Sequence, residues 1–321
     1  MAKSYSEIAI WARGCALRAQ SGYSFAENLE ASESFSKRKK ALAVDAVKRG
    51  EPLSESLSAF YPDLSSADID FLKAASKSGN LGEGFDLLSN QYFQRASVLD
   101  SFLSAFIYPL GVFVIGIFLI SVQAVLYEES VLRTEALVFS IRVVGLLFFL
   151  YLAKKVLRAR PPVLFALCRR IPHLRKFSNL LAAQRYIWVL EKGSLSAMSV
   201  DDTFRSAADS SGKPRHIRKT AVLLKRLSEG AEFTASFRDL ALALPKAARR
   251  SIRATSPNDL PSWAAIAMRQ IEDDCSGASS LSRKLFKVLA LLLMSPPIFL
   301  VIRFLFQVMT EELGQRWNQF F

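Results

Sequence analysis

A chain of 321 residues with 51% apolar side chains and a mean hydropathy of +0.20 is long enough for two modest domains and too polar for a many-span transporter. Its net charge of +13 is unevenly placed: residues 1–100 hold 12 Lys/Arg against 13 Asp/Glu, whereas residues 154–287 hold 26 against 11. Cys15, Cys168 and Cys275 are odd in number and lack metal-ligand spacing, which points to packing thiols in a reducing compartment and against a disulfide framework.

The N-terminal residues carry no apolar core with a small-residue cleavage site, so no signal peptide is expected. Over residues 6–20 Ile8, Trp11 and Cys15 recur at helical spacing, and Gly22 stops the pattern. Ser24 and Glu27 then have capping-box spacing, with Ser24 covering an orphan amide and Glu27 reaching back. The basic run Lys37-Arg38-Lys39-Lys40 opens the next helix; without interleaved aromatic residues it reads as a solvated face or a lipid-headgroup contact, not a nucleic-acid patch. Gly50-Glu51-Pro52-Leu53 is a break followed by a proline suited to a first helical turn. A further helix is predicted over 66–77 with Ile69, Leu72 and Ala75 inward. Ser78-Gly79-Asn80-Leu81-Gly82-Glu83-Gly84 is the turn after it, since these glycines have neither a lysine-serine ending nor a preceding strand for a nucleotide loop. Phe85, Leu88 and Tyr92 mark the helix that follows.

Residues 101–127 contain no charged side chain and would give roughly 40 Å of α-helix, enough for a hydrocarbon core of about 30 Å. This run is read as a transmembrane helix. Residues 128–135 form a short acidic connection, and a second apolar run, 136–153, holds Arg142 and ends on Lys154, Lys155, Arg158 and Arg160. Basic residues at one end of the hairpin place the loop outside and both polar blocks, 1–100 and 154–287, in the cytoplasm. A third run, 288–310, preceded by Arg283, Lys284 and Lys287, returns the chain across the membrane and leaves 311–321 on the outer side. The fold class expected is an all-α membrane protein with two homologous helical-bundle cytoplasmic domains and three transmembrane helices.

The homology rests on an internal repeat. Ser24 to Leu29 aligns with Ser199 to Phe204 at an offset of 175 residues, and Gly50 to Leu57 with Gly230 to Phe237 at 180. Pro62 follows with Pro245, Ser78-Gly79-Asn80 with Ser256-Pro257-Asn258, and Pro109 with Pro296. Five weak matches in one order make two copies of one unit.

These residues carry a resemblance. Gly50, Pro52 and Leu53, then Gly79, Asn80 and Leu81, then Tyr108 and Pro109 follow the order of the type II secretion F domain, which occurs twice in the inner-membrane platform proteins of type II secretion and type IV pilus machines. The resemblance implies six-helix cytoplasmic domains, an inner-membrane location in a bacterium with a cytoplasmic N-terminus and periplasmic C-terminus, and no enzymatic activity or cofactor. It further implies as partners a hexameric assembly ATPase, pilin or pseudopilin subunits, other inner-membrane machine components and further copies of the chain; no nucleic-acid partner is expected. A membrane permease or channel subunit is the alternative; three spans without intramembrane acids argue against transport.

Chemistry sought elsewhere is thin. His173 and His216 have no acids or cysteines beside them and read as surface residues. Arg142 and Arg303 are costly at membrane depth; they either snorkel or pair with neighbouring glutamates, or else meet an acidic group of a pilin subunit. Pro109, Pro296 and Pro297 are a static kink or a hinge. Arg215, Arg218, Lys219, Arg249 and Arg250 form a basic face toward an acidic ATPase surface or anionic lipid, or are simply solvated.

Overall fold

The computed structural model describes residues 4–32, 37–51, 64–105, 172–196, 198–241, 244–246, 248 and 260–320. Among them are helices and turns and no strand, as the all-α expectation requires. Two compact units form, one from residues 1–96 with 165–280 and the other from 97–164 with 281–321. The two polar blocks that the sequence separates as domains therefore contribute to one unit.

In the first block α1 (Tyr5–Gln20) opens on a capping box, Ser4 with Glu7, and buries Ile8, Trp11 and Cys15. Burial pushes the Cys15 thiol up to about 12, so it packs as a small apolar group. Ser24 and Glu27 cap α2 (Phe25–Glu30) in the predicted reciprocal fashion, because each satisfies an amide the other leaves orphaned. Helix α3 (Lys37–Lys48) follows. Helix α4 (Ser66–Lys77) has the predicted bounds, but its inward face differs. Leu72 and Ala75 are buried as expected, Ile69 is half-buried, and Asp68 and Phe71 are fully buried. Phe71 thus takes the place expected for Ile69, because the stripe is centred on the side that faces the second block.

Helix α5 (Leu81–Ala105) lies against α1. The edge of Trp11 meets the Phe85 ring at 5.6 Å, and the Ser89 hydroxyl donates to the Ala9 carbonyl at 2.8 Å. Gly84 allows the close approach of α4 and α5, since a Cβ there would sit 2.6 Å from the Ala75 methyl.

The second block begins with α6 (Pro172–Leu195), in which every residue from 181 to 190 is buried. A helix buried on all sides is a central one; α4 and α7 (Val200–Ser211) both pack on it, and α4 also packs on α7. Ser199, which aligns with Ser24 in the repeat, caps α7 by accepting from the Asp202 amide. Helices α8 (Pro214–Ser228) and α9 (Phe233–Ala241) follow, with Phe204, Phe237 and Trp263 forming an aromatic cluster. His216 is not a surface residue: it is buried with its ring 5.3 Å from that of Tyr186, because α8 turns His216, Thr220 and Leu223 inward and its cations outward.

The ends of α3 and α8 share one geometry. Gly50 and Gly230 have φ of +74° and +80°, which glycine alone adopts without a Cβ penalty. Gly50 N–H donates to the Val47 carbonyl and Glu51 N–H to Ala46, while 180 residues later Gly230 N–H donates to Leu227 and Ala231 N–H to Arg226. Each helix ends in the same left-handed cap, which also ends α1 at Gly22 and α4 at Gly79.

Helix α10 (Leu260–Phe320) contains Pro296, Pro297 and Arg303. Within the second unit it buries Phe286 and Ala290 while exposing Leu281, Leu285, Val288, Leu289, Leu291, Leu292, Phe299, Ile302 and Phe306. Among the described residues no helix is long and apolar enough to cross a membrane. The apolar runs at 106–127 and 136–153, the loop 128–135, and the side chains of most residues from 293 to 309 lie outside the described residues.

Candidate functional site: a buried ion pair between the two blocks

Residues of α4, α5 and α6 meet in a polar cluster inside the larger unit. Its centre is Asp68, the fourth residue of a capping box begun by Ser65. At most helix starts such a carboxylate is solvated, but here it is 0% exposed. Three hydrogen bonds converge on Asp68 Oδ2: from the Ser65 amide at 2.9 Å, the Ser65 hydroxyl at 2.5 Å and the Tyr92 hydroxyl at 2.8 Å. Its Oδ1 is ion-paired with Arg185 Nη2.

Arg185 is itself held on several sides. Its Nε donates to Gln91 Oε1 at 2.6 Å, and Gln91 Nε2 donates in turn to Gln184 Oε1 at 3.0 Å and to the Leu181 carbonyl at 3.1 Å. The guanidinium carbon lies 5.7 Å from the centre of the Phe71 ring, against which the edge of Trp188 packs at 5.1 Å. Arg95 stands over the Tyr92 ring at 4.9 Å. The first block supplies the carboxylate, the phenol and one glutamine, and the second supplies the arginine and the other glutamine.

Burial alone would raise the Asp68 carboxyl; the charges of Arg185 and Arg95 and the Ser65 hydrogen bonds overcome it and bring it down to about 2. Burial pulls Arg185 the other way, below its ordinary value, against the Asp68 charge. A guanidinium starts so high that it stays protonated regardless, so both partners are charged in working conditions. Burial and the adjacent carboxylate together push the Tyr92 phenol well up, which keeps it a donor. With Asp68 ionised and ion-paired, its carboxylate is not a base awaiting a proton, and the Tyr92 phenol is not an activated nucleophile. It is a clasp, whose removal in halves would leave a buried charge uncompensated.

Several motif positions set the register of this clasp. Gly79, at φ +73°, ends α4, and the Asn80 side-chain amide donates to the Ser78 carbonyl at 2.8 Å. The Asn80 carbonyl accepts from the Gly84 amide as α5 begins beside Leu81. That turn brings Gln91, Tyr92 and Arg95 of α5 over Asp68. Gly50 lies apart from the cluster, at the end of α3. Arg215, Arg218 and Lys219 are exposed on α8, and Arg303 is exposed on α10. Pro52, Leu53, Tyr108, Pro109, Arg142, Arg249 and Arg250 lie outside the described residues, as do the side chains of Pro296 and Pro297.

Residues 38–127 match the family model described as Type II secretion system (T2SS), protein F. The chain carries a protein F domain. Its matched residues include Gly50, Gly79, Asn80 and Leu81, and also Asp68, Gln91 and Tyr92; they stop short of the second block, which supplies Arg185. The F domain therefore has its buried carboxylate neutralised by a residue from outside the matched stretch. Proteins of this family are inner-membrane components of secretion machines. Comparison with curated proteins finds no match.

Sequence reading missed the clasp, although its signals were present. Asp68 stands in a Ser-x-x-Asp pattern, and Arg185 is the one charge in the apolar run 180–190.

Proposed function

We propose that this chain is an inner-membrane platform of a type IV pilus or type II secretion machine, which passes motion from a cytoplasmic assembly ATPase to pilin or pseudopilin subunits during extraction. The observation that carries this reading is the protein F match over residues 38–127. On this reading the chain catalyses no reaction; it positions and transmits.

The second block is a second, diverged copy of the F domain. Its support is the common order along the chain, a helix capped by Ser24 or Ser199 and then a helix ended by Gly50 or Gly230. The runs 101–127, 136–153 and 288–310 span the bilayer and put both copies on the cytoplasmic side. The apolar side chains exposed around α10 between residues 281 and 306 support this, since so broad an apolar surface is unfavourable in water. The clasp makes the two copies one body, so that an ATPase pushing on either would move both. The cations of α8, Arg215, Arg218 and Lys219, supply a charged face for that contact.

Deleting the gene and complementing it tests this reading. Loss of surface fibres or of secretion, restored by the full chain and accompanied by co-purification of an assembly ATPase, is the expected result. Unchanged assembly in the deletion strain would remove the proposal.

A further inference from the structure

The first turns of α6 and α8, together with residues 244–246, border a cleft of about 650 Å3 in the larger compact unit. Cations from three separate stretches of chain line it: Arg175 and Lys176 from α6, Lys213 and Arg215 from the start of α8, and Lys246. Asp274 is the one carboxylate among the described lining residues, so five positive charges face one negative. Lys213 is half-buried, and its ammonium donates to the Ser178 hydroxyl at 3.3 Å. Buried Leu180 and Leu244 also line the cleft.

A chain with cations to spare could spread them over its solvated surface, where repulsion is screened. Gathering five around one concavity whose wall includes Leu180 and Leu244 raises the positive potential there above that of an evenly spread surface. Such a place favours a compact ligand carrying more than one negative charge. The volume suits a small ligand more than a folded partner. Two guanidinium forks and three point charges match the several oxygens of a phosphate group, which Arg binds in bidentate fashion and Lys binds as a charge.

We propose that this cleft binds a phosphate-bearing anion, either the headgroup of an anionic phospholipid or a soluble phosphate ester. The proposal uses only the cleft and stands whether or not the platform reading does.

The full chain, solubilised in a neutral detergent, is titrated with inorganic pyrophosphate while its thermal unfolding is followed. In parallel it is placed in nanodiscs of phosphatidylcholine alone or with added phosphatidylglycerol. The variants are Lys176→Glu with Lys246→Glu in the cleft, and Arg218→Glu with Lys219→Glu on the exposed part of α8 outside it. All four positions are exposed, so each variant's unfolding without ligand serves as the folding control.

The expected result is stabilisation by one of the two ligands that weakens about tenfold or more in the cleft variant, as loss of charge-assisted hydrogen bonds implies, and changes less than about twofold in the α8 variant. A pyrophosphate response assigns the cleft to a soluble phosphate-bearing anion, and a response confined to phosphatidylglycerol discs assigns it to a headgroup. No stabilisation in either arm overturns the proposal, and so does equal weakening in both variants, which would mean diffuse surface charge.

Discussion

Asp68 and Arg185 are worth more as a pair than either is alone. Replacing one by alanine leaves the other charged and buried, a loss of about 3–5 kcal/mol. Urea unfolding of Asp68→Ala and Arg185→Ala, followed by tryptophan fluorescence, is expected to give such a drop, whereas Asp68→Leu with Arg185→Met recovers most of it. Tyr92→Phe removes one donor to a charged acceptor and is expected to cost about 1.5–3 kcal/mol in the same measurement. The acid response follows from the lowered Asp68 carboxyl, held at about 2 in the folded chain against an ordinary value of about 3.9. A group lowered by folding binds its proton more readily when unfolded, so its contribution is complete above about pH 4 and drains away as pH falls toward 2. Unfolding midpoints measured between pH 5 and 2.5 should fall in the wild type, and the slope should be shallower in the Leu/Met double variant.

At the scale of elements, the close contact of α4 and α5 at Gly84 sets the register of the cluster. Gly84→Ala puts a Cβ 2.6 Å from the Ala75 methyl, where neither backbone can yield without moving a helix, at a cost of about 1–3 kcal/mol. Hydrogen exchange in α4 and α5 is expected to quicken in this variant while α1 is less affected. This scale was the one most legible in the sequence. Ser24 with Glu27 announced α2, residues 66–77 announced α4, and Gly50 and Gly79 announced chain reversals, because caps and glycine turns are decided by residues near one another in sequence. The clasp was not legible because it depends on partners distant in the chain: Asp68 and Arg185 are 117 residues apart, and Gln91 and Arg185 are 94 apart. Asp68 stands in a Ser-x-x-Asp pattern that by itself gives no sign of burial, and the periodicity puts Ile69 on the inward stripe of α4 without Phe71. His216 read as exposed among cations, yet α8 turns it onto Tyr186. The buried face of α4 was settled by the second block, whose Trp188 meets Phe71, and that of α8 by α6 of its own block, whose Tyr186 meets His216; neither neighbour is within the helix's own stretch of sequence.

At the scale of the molecule, residues 38–96 of the matched F domain and residues 165–280 of the second block contribute to a single compact unit. An ion pair between residues 68 and 185 requires that both blocks occupy the same side of any bilayer the chain crosses. The platform reading requires the same, with that side cytoplasmic. The most direct measurement is a series of compartment-specific reporter fusions within 1–100, within 128–135, within 154–287 and after residue 321. The account predicts cytoplasmic signals from the first and third and periplasmic signals from the second and fourth. A second block on the opposite side from the first would contradict both the buried pair and the machine it is proposed to serve.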